Sequence, residues 1–168
     1  SGLETLQLPT DRVRGQGQAY AGAVHRFEVP AQVAQRVREV GRSQGATQFM
    51  TLLAVFKVLL SRYSGQTDIV VGTPVSGRGQ AHTEGVIGYF VNSIVLRTDL
   101  SGEPGFAEAL GRVKAVCVAG YEHDGVAFDR LVAELSPQRE VGRNPLYQVS
   151  FALNGQEAEP GLGELRVE

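Results

Sequence analysis

The sequence predicts one layered α/β domain, and three observations predict it. Apolar residues recur at helical spacing in four separate segments. Short β-branched and aromatic runs lie before, between and after them. The two kinds of segment mix without strict alternation and without internal repeats, the pattern of helices layered on a sheet.

In chain order, Ser1 to Gly22 is polar and rich in Gly and Gln, with Pro9 and no sustained period. It reads as an extended lead-in. Ala23 to Val29 alternates and predicts a strand. Pro30 stands where a first helical turn tolerates proline, Val33, Val37 and Val40 share one face of a helix over Ala31 to Arg42, and Gly45 ends it. Thr47 is the expected N-cap of the strongest helix, Gln48 to Tyr63. That helix is apolar nearly all round, which predicts burial between layers, and Ser64-Gly65 stops it.

Ile69-Val70-Val71 has no polar face and predicts an interior strand ending near Thr73-Pro74. Ile87 to Thr98 is mostly apolar on both faces and predicts a central strand. Phe106 to Tyr121 is a helix with Phe106, Ala109, Leu110, Val113, Val116 and Cys117 in register, and Phe128 to Leu135 a shorter one. Leu146 to Leu153 alternates as a last clear strand, and Leu165 to Val167 reads as a fragment of another.

Composition excludes several function classes. Hydrophobic residues make up 42%, charged residues 20%, and the formal net charge is −2, values of an ordinary soluble globular protein. The 16 basic residues are outnumbered by 18 acidic ones and are scattered, which argues against nucleic acid as a partner. Only Lys57 and Lys114 are lysines, and no arginine cluster marks an anionic ligand. The single cysteine, Cys117, rules out an intramolecular disulfide, fits a reducing compartment and reads as a buried structural thiol. No run approaches the ~18 apolar residues of a membrane span, and the start lacks signal-peptide features, so the cytoplasm is the expected compartment. Ser1-Gly2 fits a cloning remnant and implies a chain excised from something longer.

Catalytic and metal motifs are nearly absent. His25, His82 and His123 lie far apart and lack the spacing of a metal pair. His25 reads as a strand residue and His82 as a solvated loop residue, while His123, just past a helix C-terminus, is favoured there by the helix dipole. Gly15-Gln16-Gly17 fails as a phosphate loop, because no strand precedes it and no helix follows. Two places remain. In Gly72-Thr73-Pro74-Val75-Ser76-Gly77-Arg78, Ser76 offers a hydroxyl at the carboxyl end of a strand, either to a ligand or to its own turn. Asn92 is an amide on an apolar strand face, where burial without a partner costs about 1–3 kcal/mol. Its partner is backbone or a bound substrate.

Several segments in order carry a family resemblance. Val86-Ile87-Gly88-Tyr89-Phe90-Val91-Asn92-Ser93-Ile94-Val95-Leu96-Arg97 resembles the "IGxFVNT…R" motif of nonribosomal peptide synthetase condensation domains. Arg139 to Leu146, containing Arg143, Asn144 and Pro145, resembles their "RDxSRNPL", and His123-Asp124-Gly125-Val126-Ala127-Phe128-Asp129 resembles a drifted "HQDxPFE". Leu6 to Arg12 and Ser64 to Asp68 also match the family, so the likeness covers nearly the whole chain.

The resemblance implies a chloramphenicol-acetyltransferase-like lobe, a layered mixed sheet with helices packed on it, making residues 23–168 the C-terminal lobe of a condensation domain. In such a domain two lobes form a V around a tunnel, and donor and acceptor carrier proteins bring thioester-bound substrates from opposite faces. No cofactor binds the lobe directly; the phosphopantetheine arms belong to the carriers. The family's catalytic histidine sits in an "HHxxxDG" motif on the N-terminal lobe. That motif is absent here, so the fragment alone is expected to be inactive. By the same resemblance Ser76 and Asn92 are candidates to line the tunnel or to stabilise the oxyanion, whereas Arg78 and Arg97 are candidate structural ion-pair residues. Asp124, Gly125 and Ala127 depart from the usual Gln, Asp and Pro. The departures keep open a non-catalytic relative that only recruits carrier or tailoring proteins, and an ester-forming acyltransferase is a third reading.

Overall fold

The longest apolar run builds the centre of the structure. In the computed structural model, which describes residues 2–11, 22–78, 85–135 and 143–155, α1 spans Ala31–Ser43 and α2 spans Gln48–Ser64. The Thr47 hydroxyl accepts the Met50 N–H at 3.2 Å, the expected N-cap, and Gly65 closes α2 in the left-handed conformation. β1 (Asp68–Val75) and β2 (Asn92–Asp99) pair antiparallel, from Asp68 opposite Asp99 to Val75 opposite Asn92. α3 (Phe106–Glu122) and α4 (Phe128–Leu135) follow. All four helices match the expectation from sequence to within a residue.

β1 is the interior strand expected of its apolar faces. On the edge away from β2, the Gly72 N–H donates to the Val149 carbonyl (3.0 Å) and the Phe151 N–H to the Gly72 carbonyl (2.9 Å), one parallel bridge beside the two-stranded antiparallel sheet. Ile69, Val71, Ile94 and Leu96 pack with Leu53 and Ala54 of α2 and with Leu110, Val113 and Cys117 of α3. Cys117 is fully buried, as its stripe predicts. Behind β1 the Tyr147 ring lies where a Gly72 side chain would stand and meets Phe128 of α4 at 5.6 Å. The molecule is thus layered: helices α2 and α3, the sheet, then Tyr147 and α4.

Four expectations are corrected. Residues 23–29 are extended and exposed but pair with nothing among the described residues, because alternation specifies a face and a strand also needs a neighbouring edge. The run from Ile87 becomes strand only at Asn92, since Arg78 captures the carbonyls of Val86 and Gly88. Leu146 to Leu153 contributes a single bridge at Ser150, because Asn144 Oδ1 accepts the N–H groups of Leu146 and Tyr147 and makes a turn of the start. And α2 is not covered all round: Val55, Leu59 and Tyr63 are exposed. Leu165 to Val167, Gly15-Gln16-Gly17 and His82 lie outside the described residues.

Candidate functional site

The antiparallel register of β1 and β2 decides where the motif residues meet. Val75 ends β1 opposite Asn92, which begins β2, so the segments leaving and entering the sheet start side by side. Ser76, directly after β1, is exposed, and its hydroxyl accepts the Arg78 N–H at 3.4 Å, a long bond characteristic of a serine turn. Gly77 has φ +63°, and a side chain there would strike the Phe90 carbonyl, so only glycine fits.

Arg78 organises the return segment. Its Nη1 donates to the Val86 carbonyl (2.8 Å), its Nη2 to the Gly88 carbonyl (3.2 Å), and the guanidinium carbon stands 4.4 Å from the centre of the Phe90 ring. These charge-assisted bonds offset the cost of ordering a loop without a ladder. Ile87 and Tyr89 project from it, almost entirely exposed.

Asn92 bonds to backbone. Its Nδ2 donates to the carbonyls of Asp124 and Val126, both at 2.8 Å, and its Oδ1 accepts the Phe128 N–H at 3.1 Å. It therefore ties the α3–α4 connection to the start of β2. His123 caps α3, with Nδ1 2.9 Å from the Ala119 carbonyl. Since a carbonyl only accepts, Nδ1 carries the proton and a neutral His123 presents the Nε2 lone pair.

The structure thus brings Ser76, Arg78, Asn92 and His123 to one end of the sheet. Arg97 lies towards the other end, pairing with Asp68 at 2.7 Å and donating to the Gly2 carbonyl at 3.2 Å. It is an ion-pair residue that also holds the lead-in, joined there by Gln66, which accepts the Gln7 N–H and donates to the Thr5 carbonyl. The Asn144 turn, flanked by half-buried Arg143 and Pro145, aims Tyr147 onto Gly72. His25 stacks on Phe27 in the exposed extended segment, remote from this cluster in the chain. Among the described residues no three His, Cys, Asp or Glu side chains gather as a metal site.

Sequence reasoning passed over Lys57. Its side chain is completely buried beneath the sheet, with Nζ 2.7 Å from both the Leu96 carbonyl and Thr98 Oγ1, and 3.5 Å from the Ile69 carbonyl. Burial pulls the ammonium from the ordinary lysine value of 10.5 down to about 8, opposed by the nearby Cys117 and Asp68. Burial pushes the Cys117 thiol up, opposed by Lys57. The available signal was one cation in an otherwise apolar stretch.

An antiparallel sheet with one parallel bridge beside it, two helices on one side and its motif loops gathered at one strand end fits a lobe of the chloramphenicol acetyltransferase type. The chain belongs to the condensation domain family, whose model matches residues 1–166. It is 48% identical over 148 residues to one of the linear gramicidin synthase proteins of Brevibacillus parabrevis, covering 88% of this chain and 2% of that synthase. The X-domain from teicoplanin biosynthesis superposes with a TM-score of 0.84 at 30% identity, over 89% of this chain and 34% of that one, and has also been solved in complex with OxyB. A holo four-domain nonribosomal peptide synthetase bound to AMP and glycine gives 0.82 at 29% identity, over 85% of this chain and 11% of the other. The chain therefore spans a small part of each relative.

Proposed function

We propose that residues 23–168, behind the lead-in of residues 1–22, are the C-terminal lobe of a condensation domain that forms the peptide bond between two carrier-bound thioesters. The observation carrying this is the convergence of Ser76, Arg78, Asn92 and the His123 connection at one end of the sheet, in a chain matching the family model over nearly its length. The acceptor amine attacks the donor thioester carbonyl, the tetrahedral oxyanion collapses, and the phosphopantetheine thiolate leaves. A histidine of the N-terminal lobe handles the amine proton. This lobe supplies the opposite wall of the tunnel, where the exposed Ser76 hydroxyl keeps its proton to donate while a lone pair serves the Arg78 N–H. Partners are the N-terminal lobe and the donor and acceptor carrier proteins, which bring the phosphopantetheine arms, and the compartment is the cytoplasm. The chain alone is inactive.

A second reading, a domain that recruits a tailoring protein without condensing, draws support from the likeness to the X-domain solved with OxyB. The departures Asp124, Gly125 and Ala127, all exposed, also favour it. The full condensation domain, given aminoacyl carriers on both sides and analysed by mass spectrometry, separates the two. A dipeptidyl carrier supports condensation, and intact loaded carriers with retained binding support recruitment.

A further inference from the structure

The two amide hydrogens and the carbonyl oxygen of Asn92 are committed to three backbone groups within five residues, Asp124, Val126 and Phe128. The amide has one workable orientation, because a flip would set its oxygen against two carbonyls and its NH2 against an N–H. With both hydrogens so held, the group has no donor left for an oxyanion. What it controls is the path of the connection from His123 to Ala127, every residue of which is exposed at the end of the sheet where the motif loops meet. Otherwise His123 anchors the start of that connection, through its N–H to the Gly120 carbonyl (3.3 Å) and its Nδ1 to the Ala119 carbonyl (2.9 Å), and beyond it run long turns, Asp124 N–H to the Tyr121 carbonyl at 3.5 Å and Val126 N–H to the His123 carbonyl at 3.2 Å. The third bond holds the first N–H of α4, which no helical carbonyl serves.

We infer that Asn92 is a positioning residue, a three-point clamp that sets the His123–Ala127 connection against the substrate path, and not an oxyanion donor. The inference rests on the condensation reading for what the connection faces, but the clamp itself is independent of it. Asn92→Asp retains the acceptor for the Phe128 N–H and replaces both donors with a carboxylate facing two carbonyls, whereas Asn92→Ala removes all three bonds. In the full condensation domain, amide hydrogen exchange and single-turnover transfer are measured on both variants, with the Val71 and Leu96 amides as the control for folding. At Val126 exchange quickens about tenfold or more in both variants. Phe128 stays protected in Asn92→Asp and loses protection in Asn92→Ala. Transfer in Asn92→Asp slows about tenfold or more, the scale of a misplaced reacting group. Unchanged Val126 exchange in both variants overturns the clamp, most directly if transfer nevertheless collapses, since that is the behaviour of a direct donor. Should the unsubstituted domain transfer nothing, the condensation reading falls while the Val126 and Phe128 pattern still decides the clamp.

Discussion

Lys57 shows how much one side chain sets at the residue scale. Its folded-state value of about 8 lies below the ordinary 10.5, so between these pH values the unfolded chain holds a proton that the folded one has released. Stability from this group therefore rises with pH across that window: the burial penalty is fully present below about pH 8 and relieved towards 10.5, by an amount on the order of 3 kcal/mol. Cys117 has the opposite sign, its raised value making stability fall as the pH climbs past 9. The urea midpoint of the native chain should rise relative to that of Lys57→Met between pH 7 and 10.5. A constant gap would show that Lys57 does not titrate in that range. Gly72 makes a second residue-scale case. A methyl group there meets the Tyr147 ring, so Gly72→Ala should cost about 1–3 kcal/mol, the usual penalty of overpacking. Adding Tyr147→Ala should recover part of that loss, and strict additivity in the double-mutant cycle would show that the two do not touch.

At the scale of elements, α2 and the return loop are held by unlike means. α2 carries Met50, Leu53, Ala54 and Leu60 into the core, and its first turn depends on the Thr47 hydroxyl. Thr47→Ala should lower stability by about 1 kcal/mol, read from the urea midpoint. The segment from Gly85 to Val91 has no ladder of its own and relies on Arg78. Arg78→Gln should leave the fold in place yet make cleavage within this loop markedly faster in limited proteolysis, because opening needs no strand to break. Equal cleavage rates would assign the order of the loop to Phe90 and Gly77 instead. These elements also show what is legible in a chain. The helices match their expected spans closely, because a 3.6-residue apolar period, a capping threonine and stopping glycines are local signals. Residues 23–29 and 87–91 read as strand along the chain as plausibly as β1 does, but whether such a run becomes strand depends on an edge being available and on which donors take its carbonyls.

For the whole molecule, apolar surface is the governing feature. Val24, Phe27, Ile87, Tyr89 and Tyr63 are all more than half exposed. Where the proposed partner lobe does not cover it, this surface should drive self-association. Sedimentation should show mass rising with concentration, and Ile87→Ser combined with Tyr89→Ser should reduce it; a monomer at high concentration in the native chain would count against the idea. Of the site, the motif residues are legible through their order in the chain. The separation of Arg97 from Ser76, Arg78 and Asn92 is not, since it follows from the antiparallel register, which sets Asn92 opposite Val75 but Arg97 opposite Val70.

Propensity, period and motif order are properties of neighbouring residues, so the helices, the buried strand β1 and the family can all be read along the chain. What the polar groups do was settled only when distant segments met. By sequence, Asn92 could serve backbone or substrate, and three carbonyl and amide partners more than 30 positions away give it to backbone. Lys57 is one cation in an apolar helix until a carbonyl and a hydroxyl of β2 close over it. Hydrogen bonds reach about 3 Å, and which groups come within that reach is set by how the chain folds back on itself.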